Sequence, residues 1–157
     1  MNRKLRYIIG LGNYARNDDG IGLRIVEKIV EQDLDKDFEA VEIGNDGMRL
    51  LTYFTDRTDS ILLVDCALMD RKPGEHLLFS YDDIRTEKKV GNISTHEGDI
   101  VKLVELAKSL EYPVPEIRIL AVEPESLEMD MTLSECLESR LPEYVDAAIA
   151  AVNDFGG

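Results

Sequence analysis

Short apolar runs of strand length alternate with helix-periodic segments along the chain, and this alternation constrains the fold more than any other feature. Strands are predicted at 4–10, 38–43, 60–65, 75–81 and 116–124, and helices at 19–31, 48–54, 97–110 and 141–152. The run 60–65 (SILLVD) is almost wholly apolar, as expected of a strand covered on both faces. The order β-α-β-α-β-β-α-β-α predicts an α/β fold in one domain over 1–157. We expect three layers, with a twisted, mostly parallel five-stranded sheet flanked by helices.

Charge and composition exclude several classes of partner. The 157 residues include 32 acidic and 18 basic side chains, which give a formal net charge of −14. Such a field repels nucleic-acid phosphates and anionic lipid, so neither nucleic acid nor a membrane surface is an expected partner. The two cysteines, Cys66 and Cys136, lie in different predicted elements and form no C-x-x-C pair. We therefore expect two reduced thiols and a cytoplasmic protein.

Two adjacent acids occupy the turn between the first strand and the first helix, in residues 10–22 (GLGNYARNDDGIG). Asp18 is expected to cap the helix through the helix's own backbone amides, which leaves Asp19 to project elsewhere. The structural alternative is that both acids only complement the helix dipole. Gly20 and Gly22 are poor choices for a first helical turn, so their presence indicates a close approach to the backbone there.

The same turn is compatible with other functions. Gly10, Gly12 and Ala15 match the G-x-G-x-x-G/A fingerprint of dinucleotide-binding proteins, although the two aspartates would oppose a pyrophosphate at this helix N-terminus. The start IIGLGN also resembles peptidyl-tRNA hydrolases, but that resemblance stops after Asn13. Dinucleotide binding therefore stays open as an alternative function.

Two further polar residues follow the pattern of the turn. Asp65 ends the strand 60–65, and His96 lies in the loop directly before the helix 97–110. Each also has a structural explanation, since Asp65 could start a turn and His96 could be incidental in a helix-capping segment. Carboxyl ends of parallel strands meet at one edge, so Asp19, Asp65 and His96 are expected to converge. Two carboxylates and one imidazole suit a divalent transition metal with open coordination positions.

Five segments together resemble one family, the hydrogenase maturation endopeptidases. They are GLGNYARNDDGIGLRIVE, IGNDGMRLL, LLVDCALMD, STHEGDI and AVEPESLEMDMTLS, in this order. The resemblance implies an endopeptidase that removes the C-terminal extension of a nickel–iron hydrogenase large-subunit precursor after nickel insertion. It implies that Asp19, Asp65 and His96 are the catalytic and metal-contacting residues. The metal would be nickel supplied by the precursor, or another divalent metal in its place.

A glycine-containing turn is the candidate for gripping the substrate tail, through Gly44, Asn45, Asp46 and Gly47. The family usually has Gly-Gly-Thr here, whereas this chain has Ile43-Gly44-Asn45, and YAR at 14–16 replaces a commonly more apolar stretch. Both departures are expected to affect the choice of substrate rather than the metal site. The alternative from another functional class is a non-enzymatic nickel-sensing or chaperone module for the same precursor.

Overall fold

The computed structural model describes residues 4–85 and 97–155. The strands are β1 (Leu5–Leu11), β2 (Glu39–Gly44), β3 (Thr58–Cys66), β4 (His76–Ser80) and β5 (Glu116–Val122). The α-helices are α1 (Ile21–Glu31), α2 (Tyr81–Arg85), α3 (Glu97–Ser109) and α4 (Glu135–Asn153). Two 3-10 helices span Asn17–Gly20 and Gly47–Tyr53. None of the described helices has both the length and the hydropathy needed to span a bilayer.

The sheet has the order β2-β1-β3-β5-β4, and the predicted fold class is confirmed. Three neighbouring strand pairs are parallel, and β4 runs antiparallel to β5 at one edge. The central strand β3 is buried along almost its whole length, because helices cover both faces of the sheet. The carboxyl ends of β1 and β3 therefore lie next to each other at the middle of one sheet edge.

Side chains that alternate along β3 enter two separate apolar layers. Leu62 and Val64 pack with α1 and α4 on one face. Ile61 and Leu63 pack with α3 and the 3-10 helix Gly47–Tyr53 on the other. This alternation is the period of two that a strand imposes on its side chains. It produces the three layers that the sequence predicts.

Two helices differ from the sequence-based expectation. The last helix was expected from residue 141, but α4 begins at Glu135, because the Ser134 hydroxyl accepts a hydrogen bond from the Leu137 amide and caps it. Pro142 lies inside this helix rather than at its start. The short helix α2 was not predicted. Its signal is the reciprocal pair in which the amides of Ser80 and Asp83 each donate to the other's side chain, a capping box.

Candidate functional site

The turn between β1 and α1 packs directly against the carboxyl ends of β1 and β3. A Cβ atom at Gly22 would lie 2.2 Å from the Val64 carbonyl oxygen and 2.6 Å from that of Leu11. Gly12 has a φ of +135°, and a Cβ there would lie 2.0 Å from the Asp19 carbonyl oxygen. The close approach expected at Gly20 and Gly22 is therefore present, most tightly at Gly22, and the approaching group is the chain's own backbone. It fixes the turn at the carboxyl edge of β1 and β3.

Asp18 is fully buried and anchors a distant segment of the chain. Its Oδ2 atom accepts from the amides of Glu125 and Ser126, at 2.9 and 3.1 Å, and its Oδ1 atom accepts from the Ser134 amide at 2.8 Å. The expected helix-capping role is wrong, since Gly20 occupies the N-cap of α1 without a side-chain hydrogen bond. A buried carboxylate needs such donors, and here residues 125–134 supply them instead of α1.

Asp19 follows Asp18 directly but has a different environment. Its side chain belongs to the same buried turn and is 8% exposed. Across residues 4–85 and 97–155, no hydrogen bond or ion pair is found for its carboxylate. A carboxylate that has no partner in the chain keeps its oxygens available as acceptors for a group from outside. Asp19 is consequently the acid of this pair that is placed to accept a ligand.

Asp65 lies next to the last residue of β3 and is 2% exposed. Its Oδ1 atom accepts a hydrogen bond from the Cys66 amide at 2.8 Å. Pairing of β3 with β5 places Asp65 opposite Ala121 in the parallel register. The strand thus holds this carboxylate at the carboxyl edge of the sheet.

The Cys66 thiol is affected both by burial and by the nearby acids. Burial raises the pKa of the Cys66 thiol well above its ordinary value, and the negative charges of Asp65, Asp19 and Asp18 raise it further. The backbone gives the geometry, since the turn that carries Asp19 leads directly into Gly22, where a Cβ atom would lie 2.2 Å from the carbonyl oxygen of Val64, the residue before Asp65. Asp19 and Asp65 therefore lie at the same end of β3.

His96, the third predicted ligand, lies outside the described residues, in the range 86–96. Within the described ranges, no group of three histidine, cysteine, aspartate or glutamate side chains is arranged to hold a metal ion. The described part of the predicted triad thus consists of Asp19 and Asp65. Their oxygen donors are of the kind that divalent metal ions accept.

The predicted substrate-binding turn lies next to the turn that carries Asp19. Gly44 ends β2 with a φ of +64°, and its carbonyl accepts from the Gly12 amide at 3.1 Å. Asn45, Asp46 and Gly47 are exposed. Gly44, Asn45 and Gly47 also line an open groove of about 320 Å³, whereas Asp46 does not. The hydrogen bond from Gly12 connects this turn to the one that carries Asp19.

Glu123 is a buried acid that the sequence analysis did not single out. Its Oε1 atom accepts from the Met69 amide at 2.7 Å and from the Arg71 amide at 3.2 Å. Its own amide and carbonyl pair with Glu75 and Gly74. This residue therefore orders the chain that leaves β3 just after Asp65. The sequence signal that could have identified Glu123 is its position, as an acid that directly follows β5 and precedes Pro124.

Tyr14, in the unusual segment 14–16, connects the turn to two other elements. Its hydroxyl contacts the carboxylates of Glu42 in β2 and of Glu27 in α1. The Arg24 guanidinium lies 4.7 Å from the centre of its ring. Burial and the hydrogen bond with Glu42 raise the pKa of Tyr14. Tyr14 therefore stays protonated, and its hydroxyl connects the turn to α1 and to β2.

Known proteins match the chain over nearly its whole length. The family model for hydrogenase maturation protease matches residues 23–151. The hydrogenase 2 maturation protease of Escherichia coli K12 is 24% identical over 151 residues, which cover 95% of this chain and 91% of that protein.

Solved structures of similar proteins have the same fold. The hydrogenase maturating endopeptidase HybD from Escherichia coli superposes with a TM-score of 0.77 at 22% identity, over 97% of this chain and 94% of the other. The [NiFe] hydrogenase maturation protease HybD from Thermococcus kodakarensis gives 0.74 at 25% identity, over 94% and 99%.

Proposed function

The chain belongs to the hydrogenase maturation protease family, and we propose that it removes the C-terminal extension of a nickel–iron hydrogenase large-subunit precursor once nickel is in place. Family membership makes the protein a peptidase, which separates it from the non-enzymatic and dinucleotide-binding alternatives. The observation that carries the site is the burial of Asp19 and Asp65 at one sheet edge, where the backbone at Gly22 lies against that of Val64.

In this proposal, Asp19 and Asp65 contact the nickel ion that the precursor carries. Two buried carboxylates in one neighbourhood repel each other, and a divalent cation between them removes that repulsion. Asp19 supports this role most directly, since its carboxylate has no partner within the described residues. His96 is included because of its position in the sequence, directly before α3.

The chemistry requires the scissile peptide bond to lie next to the bound ion. Nickel would supply Lewis acidity that polarises the scissile carbonyl or a water molecule. The protein's own contribution is to fix position. Asp65 is held by β3 and the Cys66 amide, and Asp19 by a turn that Gly12 and Gly22 lock onto the strand ends. In this proposal, the turn at Gly44–Gly47 holds the substrate tail.

The test compares cleavage of nickel-loaded and nickel-free precursor, followed by mass spectrometry of the shortened large subunit. Wild type should cleave only the nickel-loaded form, and Asp19→Asn, Asp65→Asn and His96→Ala should each lower its cleavage at least about 100-fold, as expected when a group that contacts the reacting centre is lost. Asp56→Asn removes an exposed acid before the start of β3, at the end of the strand opposite Asp65, and is the matched control. Unimpaired cleavage by the three variants would refute the assignment of these residues.

A further inference from the structure

An apolar groove begins at the sheet edge and runs between two helices. It lies between α3 and the 3-10 helix Gly47–Tyr53 and has a volume of about 320 Å³. Its apolar lining consists of Leu11, Met48, Leu50, Ile100, Leu103 and Leu106. Met48 and Leu106 remain 57% and 37% exposed at its rim. A concave apolar surface of this size is the usual form of a ligand site.

The groove is continuous with the proposed catalytic edge. Leu11 is the last residue of β1 and leads into the turn that carries Asp19. Gly44 lines the groove and also accepts the hydrogen bond from Gly12 in that turn. A peptide chain held beside Asp19 and Asp65 would therefore reach the groove without leaving the surface.

The charge carried by the described lining residues restricts what the groove can accept. Lys102 is the only charged residue among the described residues that line it. Within the same described ranges, Lys102 takes part in no ion pair, although the chain carries a net charge of −14. A cation beside an apolar floor is complementary to an apolar segment that carries a carboxylate.

From these observations, and building on the proposed function, we propose that this groove binds the C-terminal extension of the precursor through one or two apolar side chains with an acidic group next to them. Lys102 pairs with that acid, and Leu106 and Met48 cover the apolar side chains. Lys102 and Leu106 are thus determinants of substrate specificity, and neither contacts the scissile bond.

Binding and turnover of the substrate test the proposal together. A synthetic peptide with the sequence of the C-terminal extension is titrated by fluorescence anisotropy, and the nickel-loaded precursor is used for kinetics. Lys102→Glu and Leu106→Glu should each weaken peptide binding and raise KM about tenfold, which corresponds to about 1.4 kcal/mol of lost binding. The kcat should stay unchanged, since the lost contacts are made equally in the ground and transition states.

Two variants serve as matched controls. Lys108→Glu makes the same charge change on the same helix, and Leu110→Glu the same apolar-to-acid change just beyond it, and both positions lie outside the groove. Both should bind like wild type. Peptides in which each acidic residue in turn is replaced by lysine should also be tested against Lys102→Glu. One of these peptides should bind this variant with restored affinity. Equal affinity for Lys102→Glu and Lys108→Glu, or the failure of every exchange to restore binding, would overturn the proposal.

The readouts separate this proposal from the proposed function. If wild type leaves the nickel-loaded precursor intact, the protease assignment fails. Peptide binding alone then tests whether the groove binds the C-terminal extension. A different result would be that Lys102→Glu and Leu106→Glu bind the peptide with wild-type affinity while Leu106→Glu converts a dimer into a monomer. The groove would then be the interface with a second copy of this chain, and the proposal would be wrong.

Discussion

Replacing Asp18 with alanine should lower the free energy of unfolding by about 3 to 5 kcal/mol. The substitution leaves three backbone amides without their acceptor, those of Glu125, Ser126 and Ser134. A hydrogen bond to a charged group contributes about 1.5 to 3 kcal/mol, so three would give roughly 4.5 to 9 kcal/mol. The expected loss is smaller than this sum for two reasons. The alanine variant no longer bears the free-energy cost of burying a charged carboxylate, and water can reach partly buried amides.

Urea denaturation measures this loss, and Asp18→Asn refines it. Asparagine keeps one acceptor oxygen but turns an NH2 group toward an amide donor, so its stability should fall between wild type and alanine. Asp46→Ala removes an exposed acid and should change the unfolding free energy by less than about 0.5 kcal/mol. Hydrogen exchange should also show faster exchange at the three released amides. A loss below about 1 kcal/mol for Asp18→Ala, with these amides still protected, would refute the anchoring role.

Three further effects on stability are expected, each measured by urea denaturation. Gly22→Ala should destabilise by several kcal/mol or prevent folding, since its Cβ would meet two backbone oxygens, whereas Gly47→Ala has open space and should be nearly neutral. Ser134→Ala should lose about 1 kcal/mol with the α4 cap, and a change below about 0.3 kcal/mol would contradict that cap. A raised pKa of Cys66 means that the unfolded chain loses its thiol proton first, so stability should fall as pH rises above the ordinary value of 9.0, by up to about 1.4 kcal/mol per pH unit. Cys66→Ala should flatten this decline between pH 9 and 10, and an unchanged slope would contradict the effect.

Local periodicity was enough to predict the sheet and the position of its acids. Asp65 ends a buried strand and Asp19 follows a strand-to-helix turn, so the parallel topology alone brings them to one edge. The role of Asp18 was not predictable in this way, because its donors lie 107 to 116 residues further along the chain. No local pattern marks Asp18 as different from Asp19.

Two local signals compete at the start of the last helix. Pro142 favours a helix that begins at residue 141, because proline suits a first turn, whereas the Ser134 side chain caps α4 so that it begins at Glu135. The capping box of α2 was present in the sequence but covers only a five-residue helix. The glycines of the first turn indicated a close approach correctly, yet a sequence cannot distinguish a ligand from the chain's own backbone.

The long separation between Asp18 and its donors bears on how the protein is made. During synthesis, a ribosome-bound chain that stops short of residue 125 has no amides to offer this carboxylate. The turn that carries Asp18 therefore cannot form its native hydrogen bonds until most of the polypeptide has left the ribosome. Contacts between residues so far apart in the sequence also form slowly. We expect the nascent chain to lack peptidase activity until about its last fifth, from residue 125 onward, has folded back.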